Sequence, residues 1–297
     1  MVLVAAVALG SSTYAWFVSN NQVTATTSTI SAQSNAPFLK IDNKANFSTA
    51  GTESQFIKTA VTVLYPAQVV GEFISTDAEV TASPATANEA DVKFQSAYAS
   101  TAYAAGERGN TRFTVGNPAT AVTKEYAYME SFWIGSDDAK AGSFANLKVS
   151  AVTVAAKNGV TFEGYQYDSD GDGTKDATVS ADDAKKQMED AVRLLFVNPD
   201  TGAWQVWSKA GCVANYTDTS GPVTLSGTKL VASTGALADT IDGGKDKVQK
   251  IDVYMFYDGA DSKIFTNNLA GLHDMGATVT FTADSVSTTG SNTGLGN

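Results

Sequence analysis

The chain has 297 residues, with 31 acidic and 20 basic side chains, so its formal net charge is -11 at pH 7. A field of this sign repels phosphate backbones and anionic lipid head groups, which argues against binding to nucleic acid. Only 17% of the residues are charged, and Thr, Ser, Val, Ala and Gly are abundant, a composition typical of many short strands joined by polar turns.

An apolar run opens the chain at residues 1–9, and small residues and the aromatic-rich stretch 14–17 follow it. This order is typical of the end of a secretory signal peptide, so we predict a leader remnant over residues 1–15, with cleavage near Ala15. The basic start of the leader is expected to precede Met1. The run is shorter than the roughly 20 residues of a membrane-spanning helix, so we expect membrane contact only through the uncleaved leader.

Residues 16–36 are predicted to form an extended N-terminal segment, because β-branched residues recur over residues 22–32. Pro37 ends that pattern, and new strand patterns begin after it. They predict one β-domain over residues 37–284, followed by a flexible Ser/Thr/Gly-rich tail at residues 285–297.

Alternating apolar and polar residues mark the strands of this domain. The predicted strands lie at residues 38–41, 53–65, 111–115, 121–134, 147–155, 160–167, 192–197, 203–208, 248–257 and 276–284. Turn residues at 198–202 predict a hairpin of the two strands that flank them. So many short strands predict an all-β fold, a two-sheet antiparallel sandwich of jelly-roll type with short helical insertions.

Two helical insertions are expected. Part of residues 84–106 is predicted to be helical because this stretch is rich in alanine. A second helix is predicted over residues 181–190, because Ser180 can cap it and Asp183 occupies the capping-box position near the positive end of the helix dipole.

The strand at residues 147–155 carries a phase slip at Ala151-Val152, where its apolar residues change face. A β-bulge would keep both halves facing one core, and burial of the second half on both sides is the alternative. Asn158-Gly159 favours a primed turn, so this strand is predicted to form a hairpin with residues 160–167.

One acidic stretch carries the spacing of a cation-binding loop. Its carboxylates stand at loop positions 1, 3, 5 and 9, glycine stands at position 6, and position 7 offers a carbonyl group. The predicted ligands are Asp168, Asp170, Asp172, Thr174 and Asp176. Calcium takes about six to eight oxygen ligands, and carboxylates this close would otherwise repel one another. We therefore predict a structural calcium site that rigidifies the loop.

Position 12 of this loop departs from the EF-hand pattern, because Val179 replaces the bidentate glutamate. Asp182, Asp183 or a water molecule could supply the missing oxygen. The alternative interpretation of the whole stretch is a solvated acidic turn without a metal ion.

Motifs at both ends and in the middle of the chain occur in a recognisable order. They are Ser12-Thr13-Tyr14-Ala15-Trp16-Phe17, Ala191-Val192-Arg193-Leu194, Val253-Tyr254-Met255-Phe256-Tyr257-Asp258-Gly259-Ala260-Asp261, Thr266-Asn267-Asn268 and the closing strand at residues 277–283. Together they resemble the processing box, a middle strand and the C-terminal pattern of the TasA/camelysin family of secreted bacterial surface and biofilm-matrix fibre proteins. Within them, the acidic turn at residues 258–261 is either an ordinary turn, a second cation site or a contact between subunits.

The resemblance implies a secreted structural subunit, extracellular or at the cell surface, that polymerises with copies of itself into a biofilm-matrix filament. Other matrix or cell-wall components are possible further partners, and calcium is expected to stabilise the subunit. The implied mechanism is strand addition, in which the N-terminal segment pairs with an open sheet edge of the next copy. The alternative is that this segment pairs within its own domain. The pairing positions are expected at Val23, Ala25, Thr27, Thr29 and Ile30.

We expect no enzymatic activity. His273 is the only histidine and the sequence lacks His-Glu-x-x-His, so a standard zincin site cannot be built. A single histidine without Gly-x-Ser-x-Gly argues against a Ser-His-Asp hydrolase. Cys212, the only cysteine, cannot form an internal disulfide and is expected to be a buried thiol. A glycosidase needs only two carboxylates, and counting does not exclude one.

A second function class stays open, a monomeric, calcium-stabilised adhesive or carbohydrate-binding surface domain. Trp204 and Trp207 lie on opposite faces of one predicted strand, so one ring could be exposed to bind sugar. The alternative is that both rings are buried in a core or interface, because aromatic side chains bury strongly.

Overall fold

A computed structural model gives the structure of the protein. It describes residues 29–32, 39–51, 53–55, 64–70, 92–99, 112–120, 126–138, 141–156, 159–169, 172, 174–201, 203–213, 235–245, 247–265, 268 and 275–286. Over these residues the chain is mostly strand, with one helix, which confirms the all-β prediction.

The strands follow the order of the chain. They are β1 (Thr29–Ala32), β2 (Lys40–Asp42), β3 (Glu53–Gln55), β4 (Ala67–Val70), β5 (Lys93–Ala99), β6 (Arg112–Thr120), β7 (Tyr128–Ser136), β8 (Phe144–Ala156), β9 (Tyr165–Tyr167), β10 (Ala177–Val179), β11 (Val192–Val197), β12 (Trp204–Ser208), β13 (Gly211–Cys212), β14 (Ala238–Ile241), β15 (Lys247–Tyr257) and β16 (Met275–Ser285). The helix α1 spans Ala181–Ala191. The strands predicted at residues 192–197, 203–208, 248–257 and 276–284 are therefore confirmed.

The strands form three larger sheets and one ribbon. The five-stranded sheet has the order β14-β8-β16-β1-β3, the six-stranded sheet has the order β13-β12-β11-β15-β7-β2, and the three-stranded sheet has the order β4-β5-β6. The ribbon pairs β9 with β10. Neighbouring strands in these sheets run antiparallel except β1 and β16, which are parallel.

The five-stranded and six-stranded sheets share one hydrophobic core. Val279 and Phe281 on β16 and Phe196 on β11 are fully buried in it. The rings of Phe196 and Phe281 meet edge to face, with their centroids 5.8 Å apart, which is a preferred geometry for an aromatic pair. Along β16, buried and half-buried side chains alternate, so every second residue faces this core.

A second core lies on the other face of the six-stranded sheet, where the three-stranded sheet covers it. Phe94 of β5 is fully buried there, and its ring centroid lies 5.8 Å from that of Tyr254 and 5.2 Å from that of Phe256. Strands β11 and β15 are therefore buried on both faces, which explains their continuous apolar runs. The strand pattern of the sequence predicted two sheets, and the three-stranded sheet is an addition to them.

The helix predicted within residues 84–106 is wrong for residues 93–99, which form β5. Both edges of β5 are paired, one with β4 and the other with β6. The Ser96 hydroxyl also donates to the Pro66 carbonyl oxygen at 2.9 Å. Helix propensities differ by less than about 1 kcal/mol per residue among ordinary residues. Pairing on two edges and the burial of Phe94 therefore outweigh the alanine content.

Strand β8 contains the predicted phase slip, and it is a β-bulge. The register between β8 and β16 shifts there by one residue, so Ser150 is the extra residue. Ser150 and Ala151 are both exposed, while Val149 and Val152 are both buried. The bulge therefore keeps both halves of the strand facing one core, as the first alternative predicted.

The hairpin predicted between residues 147–155 and 160–167 is wrong. Strand β8 pairs with β16 along one edge and with β14 along the other, and β9 pairs with β10 instead. Gly159 does take the positive φ of a turn, 86°, but residues 160–164 then leave the sheet. A local turn signal does not determine which strand becomes the neighbour.

Two further predictions are only partly correct. A strand was predicted at residues 53–65, and the described residues of this range form strand only at 53–55. A new strand, β4, begins after Pro66. Cys212 is half-buried on β13 at the edge of the six-stranded sheet, rather than fully buried. Its burial is still sufficient to raise the pKa of the thiol above its ordinary value.

Candidate functional site

The predicted cation loop connects the two strands of the ribbon. Tyr167 at the end of β9 lies opposite Ala177 at the start of β10, so the loop spans residues 168–176 at one end of the ribbon. The structure describes four of the five predicted ligands: Asp168, Asp172, Thr174 and Asp176. The fifth, Asp170 at loop position 3, lies outside the described residues.

Hydrogen bonds close the base of this loop. The Asp176 carboxylate accepts the backbone N–H of Ser169 at 2.9 Å and the Ser169 hydroxyl at 2.8 Å. The bond from that backbone N–H holds the pKa of Asp176 below its ordinary value. Further along the loop, the Asp172 carboxylate accepts the backbone N–H of Thr174 at 2.6 Å, which forms an Asx turn. Asp176 therefore closes the base of the loop through its carboxylate.

The described residues contain no group of three or more His, Cys, Asp or Glu side chains that could hold a metal ion. Asp170 was outside that set. Of the two side chains considered for position 12, Asp183 accepts the Ser180 hydroxyl at 2.7 Å within the helix cap, and Asp182 is exposed. The calcium site therefore stays a prediction, and its position 12 stays open between Asp182, Asp183 and a water molecule.

The helix that follows the ribbon begins where the sequence predicts. The Ser180 hydroxyl oxygen accepts the backbone N–H of Asp183 at 3.1 Å, so Ser180 is the N-cap of α1. The acidic residues of the first turn complement the positive end of the helix dipole. The buried face of α1 carries Ala184, Met188 and Ala191. The cap thus fixes the residue at which the ribbon ends and the helix that packs on the core begins.

Aromatic and amide contacts anchor the ribbon to the rest of the protein. The ring centroid of Phe265 lies 5.9 Å from that of Tyr165 and 5.4 Å from that of Tyr167. The Tyr165 hydroxyl donates to the side-chain oxygen of Gln187 on α1 and accepts from the Asn268 amide at 3.4 Å. Burial raises the pKa of Tyr165 above its ordinary value. The ribbon is therefore held by α1 and by the segment after β15.

A shallow cleft of about 580 Å³ lies on the ribbon beside the loop. Its lining includes Tyr165, Gln166, Lys175, Thr178 and Ser180. Gln166, Lys175 and Thr178 are exposed. These exposed side chains can form hydrogen bonds with a small polar ligand.

Arg193 joins two of the sequence motifs. Its Nε lies 3.4 Å from a carboxylate oxygen of Asp258, and its Nη2 lies 2.7 Å from one of Asp261. The three side chains are largely shielded, with 11%, 7% and 13% of their surface exposed. The Asp258 carboxylate also accepts the backbone N–H of Ala260 at 2.9 Å. Because its two carboxylates are paired with Arg193, the acidic turn fits an ordinary internal turn better than a second cation site.

A second ionic cluster surrounds the end of α1. The Asp190 carboxylate lies 2.7 Å from the ammonium group of Lys209 and 2.6 Å from that of Lys263. Burial alone would raise the pKa of Asp190, but the hydrogen bonds from the two ammonium groups outweigh it and hold that pKa below its ordinary value. The cluster ties α1 to the β12–β13 turn and to the segment after β15.

The described part of the N-terminal segment forms β1, an inner strand of the five-stranded sheet. Ile30 lies opposite Val279 in the parallel pairing with β16 and opposite Ser54 in the antiparallel pairing with β3. In the single chain, the predicted pairing positions Thr29 and Ile30 therefore pair within their own domain. The other predicted positions and the predicted cleavage site lie outside the described residues: Val23, Ala25, Thr27 and Ala15.

The two tryptophans of β12 are both buried, which confirms the second of the two alternatives, burial of both rings. Trp204 belongs to the second core and Trp207 to the first. The indole N–H of Trp207 donates to the side-chain oxygen of Gln205 at 2.9 Å. Because both faces of the six-stranded sheet are covered, rings on opposite faces of β12 are buried equally. His273 lies outside the described residues.

Comparison with protein-family models, with curated proteins and with solved structures finds no match for this chain. Where the structure describes the chain, none of its helices combines the length and apolar character needed to cross a membrane.

Sequence reasoning missed the residues that hold the ribbon. Gln187, Phe265 and Asn268 come from distant parts of the chain, and no local pattern links them to Tyr165. The acidic turn at residues 258–261 indicated only part of the arrangement around it. Two carboxylates that are shielded from water require a cationic partner. The sequence does not show which of the 20 basic residues supplies it.

Proposed function

We propose that this chain is a secreted structural subunit of the TasA/camelysin type, which polymerises into an extracellular or biofilm-matrix filament by N-terminal strand addition. The observation that carries the proposal is the position of β1. The N-terminal segment contributes a strand to the middle of a sheet, between β16 and β3. A strand that comes from one end of the chain can be supplied by another copy without rearranging the rest of the fold.

The proposed fold is a jelly-roll-type sandwich with the three-stranded sheet added to one face. The five-stranded and six-stranded sheets share a core and are almost entirely antiparallel, which supports this topology. Neighbours in both sheets come from distant parts of the chain, such as β8 beside β16 and β7 beside β15. Such long connections are typical of jelly rolls rather than of simple meanders.

Calcium is proposed to stabilise the subunit at the loop of residues 168–176. The spacing of its carboxylates supports this, as does its placement at the end of an anchored ribbon. When bound, a calcium ion would neutralise the crowded carboxylates and hold the loop in one conformation. The rest of the fold contributes a fixed base, since Asp176 already closes the loop onto Ser169.

Deleting residues 16–33 tests the polymerisation proposal. The mature chain, beginning at residue 16, is expected to form filaments in negative-stain electron microscopy, and the deletion variant is expected to form separate particles. Deleting residues 287–297 is the matched control and should leave filaments intact. Filaments that persist unchanged after the N-terminal deletion would show that strand addition is wrong.

A proline variant guards against simple unfolding of the deletion variant. Ser31→Pro removes one backbone donor from the centre of β1 and is expected to reduce filament formation strongly. Circular dichroism should show that the β-content of this variant is kept. A folded Ser31→Pro protein that polymerises at the normal rate would contradict the proposal.

Isothermal titration tests the calcium site. The wild-type protein is expected to release or absorb heat on titration with calcium, and an Asp168→Asn, Asp172→Asn double variant is expected to lose most of that signal. Asp239→Asn, a substitution of an exposed acidic residue on β14, is the control and should bind as the wild type does. No heat at millimolar calcium would exclude the site.

A monomeric carbohydrate-binding domain is the second candidate, and the cleft on the ribbon favours it. Exposed Gln166, Lys175 and Thr178 in its lining can form hydrogen bonds with a polar ligand. A glycan-array screen of the wild type and a Gln166→Ala, Lys175→Ala variant separates the two functions. Selective binding that the variant loses, together with an absence of filaments, would support this candidate.

A further inference from the structure

The loop between β2 and β3 contains the tripeptide Asn46-Phe47-Ser48. It fits the pattern Asn-x-Ser/Thr, in which the middle residue is not proline. In secreted proteins this pattern marks the asparagine as an acceptor for an N-linked glycan when it lies in a surface loop. The sequence contains one other tripeptide of this kind, Asn215-Tyr216-Thr217, which lies outside the described residues. Asn46 is therefore the acceptor whose surroundings can be judged from the structure.

The base of this loop is held by hydrogen bonds. The backbone N–H of Ile41 donates to the Gly51 carbonyl oxygen at 2.8 Å, and the N–H of Gly51 donates back to the Ile41 carbonyl oxygen at 3.0 Å. Just inside this pair, the buried Asp42 carboxylate accepts the backbone N–H of Thr49 at 2.7 Å and the Thr49 hydroxyl at 2.8 Å. The loop therefore presents its middle residues in a defined conformation.

Phe47 anchors the middle of the loop. Its side chain is 5% exposed, and its backbone N–H donates to the Lys44 carbonyl oxygen at 2.9 Å. Asn46 and Ser48, on either side of it, are exposed. The apolar residue of the tripeptide thus packs on the protein, while both residues that an oligosaccharyltransferase must read face the solvent.

The side-chain amide of Asn46 is oriented by its own chain. Its Oδ1 accepts the backbone N–H of Ser48 at 3.3 Å, which forms an Asx turn. Within the part of the chain that the structure describes, no hydrogen bond engages its Nδ2 group. Nδ2 is the atom to which an N-linked glycan is attached, so the reactive group of Asn46 is accessible to an enzyme.

We propose that Asn46 is an N-glycosylation site, and that its donor is an oligosaccharide carried on a polyprenyl diphosphate. In the transfer, Nδ2 of Asn46 forms a bond to the anomeric carbon C1 of the first sugar, and the C1–O bond to the diphosphate breaks. The amide gives one proton to a base of the transferase, and the polyprenyl diphosphate leaves with the electron pair of the broken bond. This inference rests on the proposed secretion of the chain and adds a modification site to it.

The site lies beside an edge of both larger sheets. In the described part of the chain, β2 is the last strand of the six-stranded sheet and β3 is the last strand of the five-stranded sheet. An exposed strand edge is a template for pairing with another chain. A hydrated glycan on the loop between β2 and β3 covers this side of the protein and hinders unwanted pairing there.

Peptide mass spectrometry tests the site in protein isolated from the culture medium of the organism that produces it. Trypsin cuts after Lys44 and Lys58, so residues 45–58 form one peptide. This peptide is expected to carry the added mass of a glycan and to release sugar fragments. The internal control is the tryptic peptide of residues 141–148, which should be unmodified. It contains Asn146, which is exposed but has no serine or threonine two positions later.

Substitutions within the tripeptide test its specificity. Asn46→Gln and Ser48→Ala are each expected to abolish the modification of residues 45–58, whereas Ser48→Thr should keep it. Both positions are exposed, so the fold should be little affected. A secreted wild-type protein with an unmodified 45–58 peptide, or a glycan that persists in Ser48→Ala, would overturn the inference and leave the proposed secretion intact. A chain that stays inside the cell without a glycan would overturn both.

Light scattering tests the covering role of the glycan. The secreted Asn46→Gln protein keeps the charge of the wild type but lacks the glycan, so it is expected to aggregate at a lower protein concentration. Ser48→Thr, which keeps the glycan, is the matched control and should behave as the wild type does. Equal aggregation of all three proteins would show that the glycan does not cover the edge.

Discussion

Arg193 and Asp261 are joined by an ion pair in which Nη2 lies 2.7 Å from Oδ2, although their positions are far apart in the sequence. The pair connects the start of β11 to the turn that follows β15, and Asp258 of the same turn lies 3.4 Å from Nε of the guanidinium. The same arginine donates to the last turn of α1 through the Asp190 carbonyl oxygen. This side chain therefore joins three elements that surround the base of the ribbon.

Removing the arginine is expected to be costly. Arg193→Met leaves two shielded carboxylates without their cation, which should lower the free energy of unfolding by about 3–5 kcal/mol. Lys40→Met is the control, because the Lys40–Asp137 pair is exposed and such pairs contribute about 0–1 kcal/mol. Urea denaturation followed by circular dichroism measures both, and equal effects of the two substitutions would contradict this role of Arg193.

Substitution of Phe94 tests the packing of the second core. Phe94→Ala removes the ring that contacts Tyr254 and Phe256, and it should lower the free energy of unfolding by about 3–5 kcal/mol. Tyr65→Ala, at a side chain that is 51% exposed, should change it by about 0.5 kcal/mol or less. If Phe94→Ala is as mild as the control in urea denaturation, the three-stranded sheet does not pack as described.

The bulge in β8 predicts an unusual tolerance of deletion. Deleting Ser150 restores regular alternation while Val149 and Val152 keep facing the core, so the loss should be about 1 kcal/mol, mainly from the hydrogen bond that Ser150 donates to the Thr280 carbonyl. Deleting Thr153 instead turns one half of the strand over and should prevent folding. Soluble yield and thermal melting compare the two deletions, and a Ser150 deletion that unfolds the protein would contradict the assigned register.

Acid stability should depend on Asp190. Its pKa in the folded protein lies below the unfolded value of about 3.9, so the ionised carboxylate stabilises the fold above about pH 3.9. That contribution is lost as the pH falls through the folded-state pKa. Asp190→Asn should therefore weaken the protein at pH 6 and flatten the decline of its urea midpoint between pH 5 and pH 2. Asp239→Asn is the matched control and should leave the decline unchanged; a similar flattening there would contradict the assignment.

The strands with strong local patterns could be predicted from the sequence, and their partners could not. The continuous apolar runs of β11 and β15 and the alternation of β16 identified them as strands. The phase slip in β8 left a bulge as one of two alternatives, and the structure contains the bulge. The partner of β8 depended on β16 and β14, which arrive much later in the chain, so the Asn158-Gly159 turn was a misleading guide.

Burial of both faces of the six-stranded sheet explains most of the other differences between the predicted and the observed structure. The three-stranded sheet covers the outer face of the six-stranded sheet, so Trp204 is buried where a two-layer fold would have exposed it. The same sheet turns an alanine-rich stretch into β5 by supplying partners on both edges. Neither effect is visible in a local window of sequence, because both depend on contacts between distant segments. The cation loop stays a prediction from its spacing, and its anchors on α1 and at Phe265 were not visible in the sequence.

The central claim is that the N-terminal strand of one subunit joins it to the next. A cryo-electron microscopy map of material assembled from the chain that begins at residue 16 tests this most directly. Strand addition predicts filaments in which continuous density leads from residues 16–33 of one subunit into a sheet of its neighbour. Separate compact particles, or filaments in which each N-terminal segment stays within its own subunit, would contradict it.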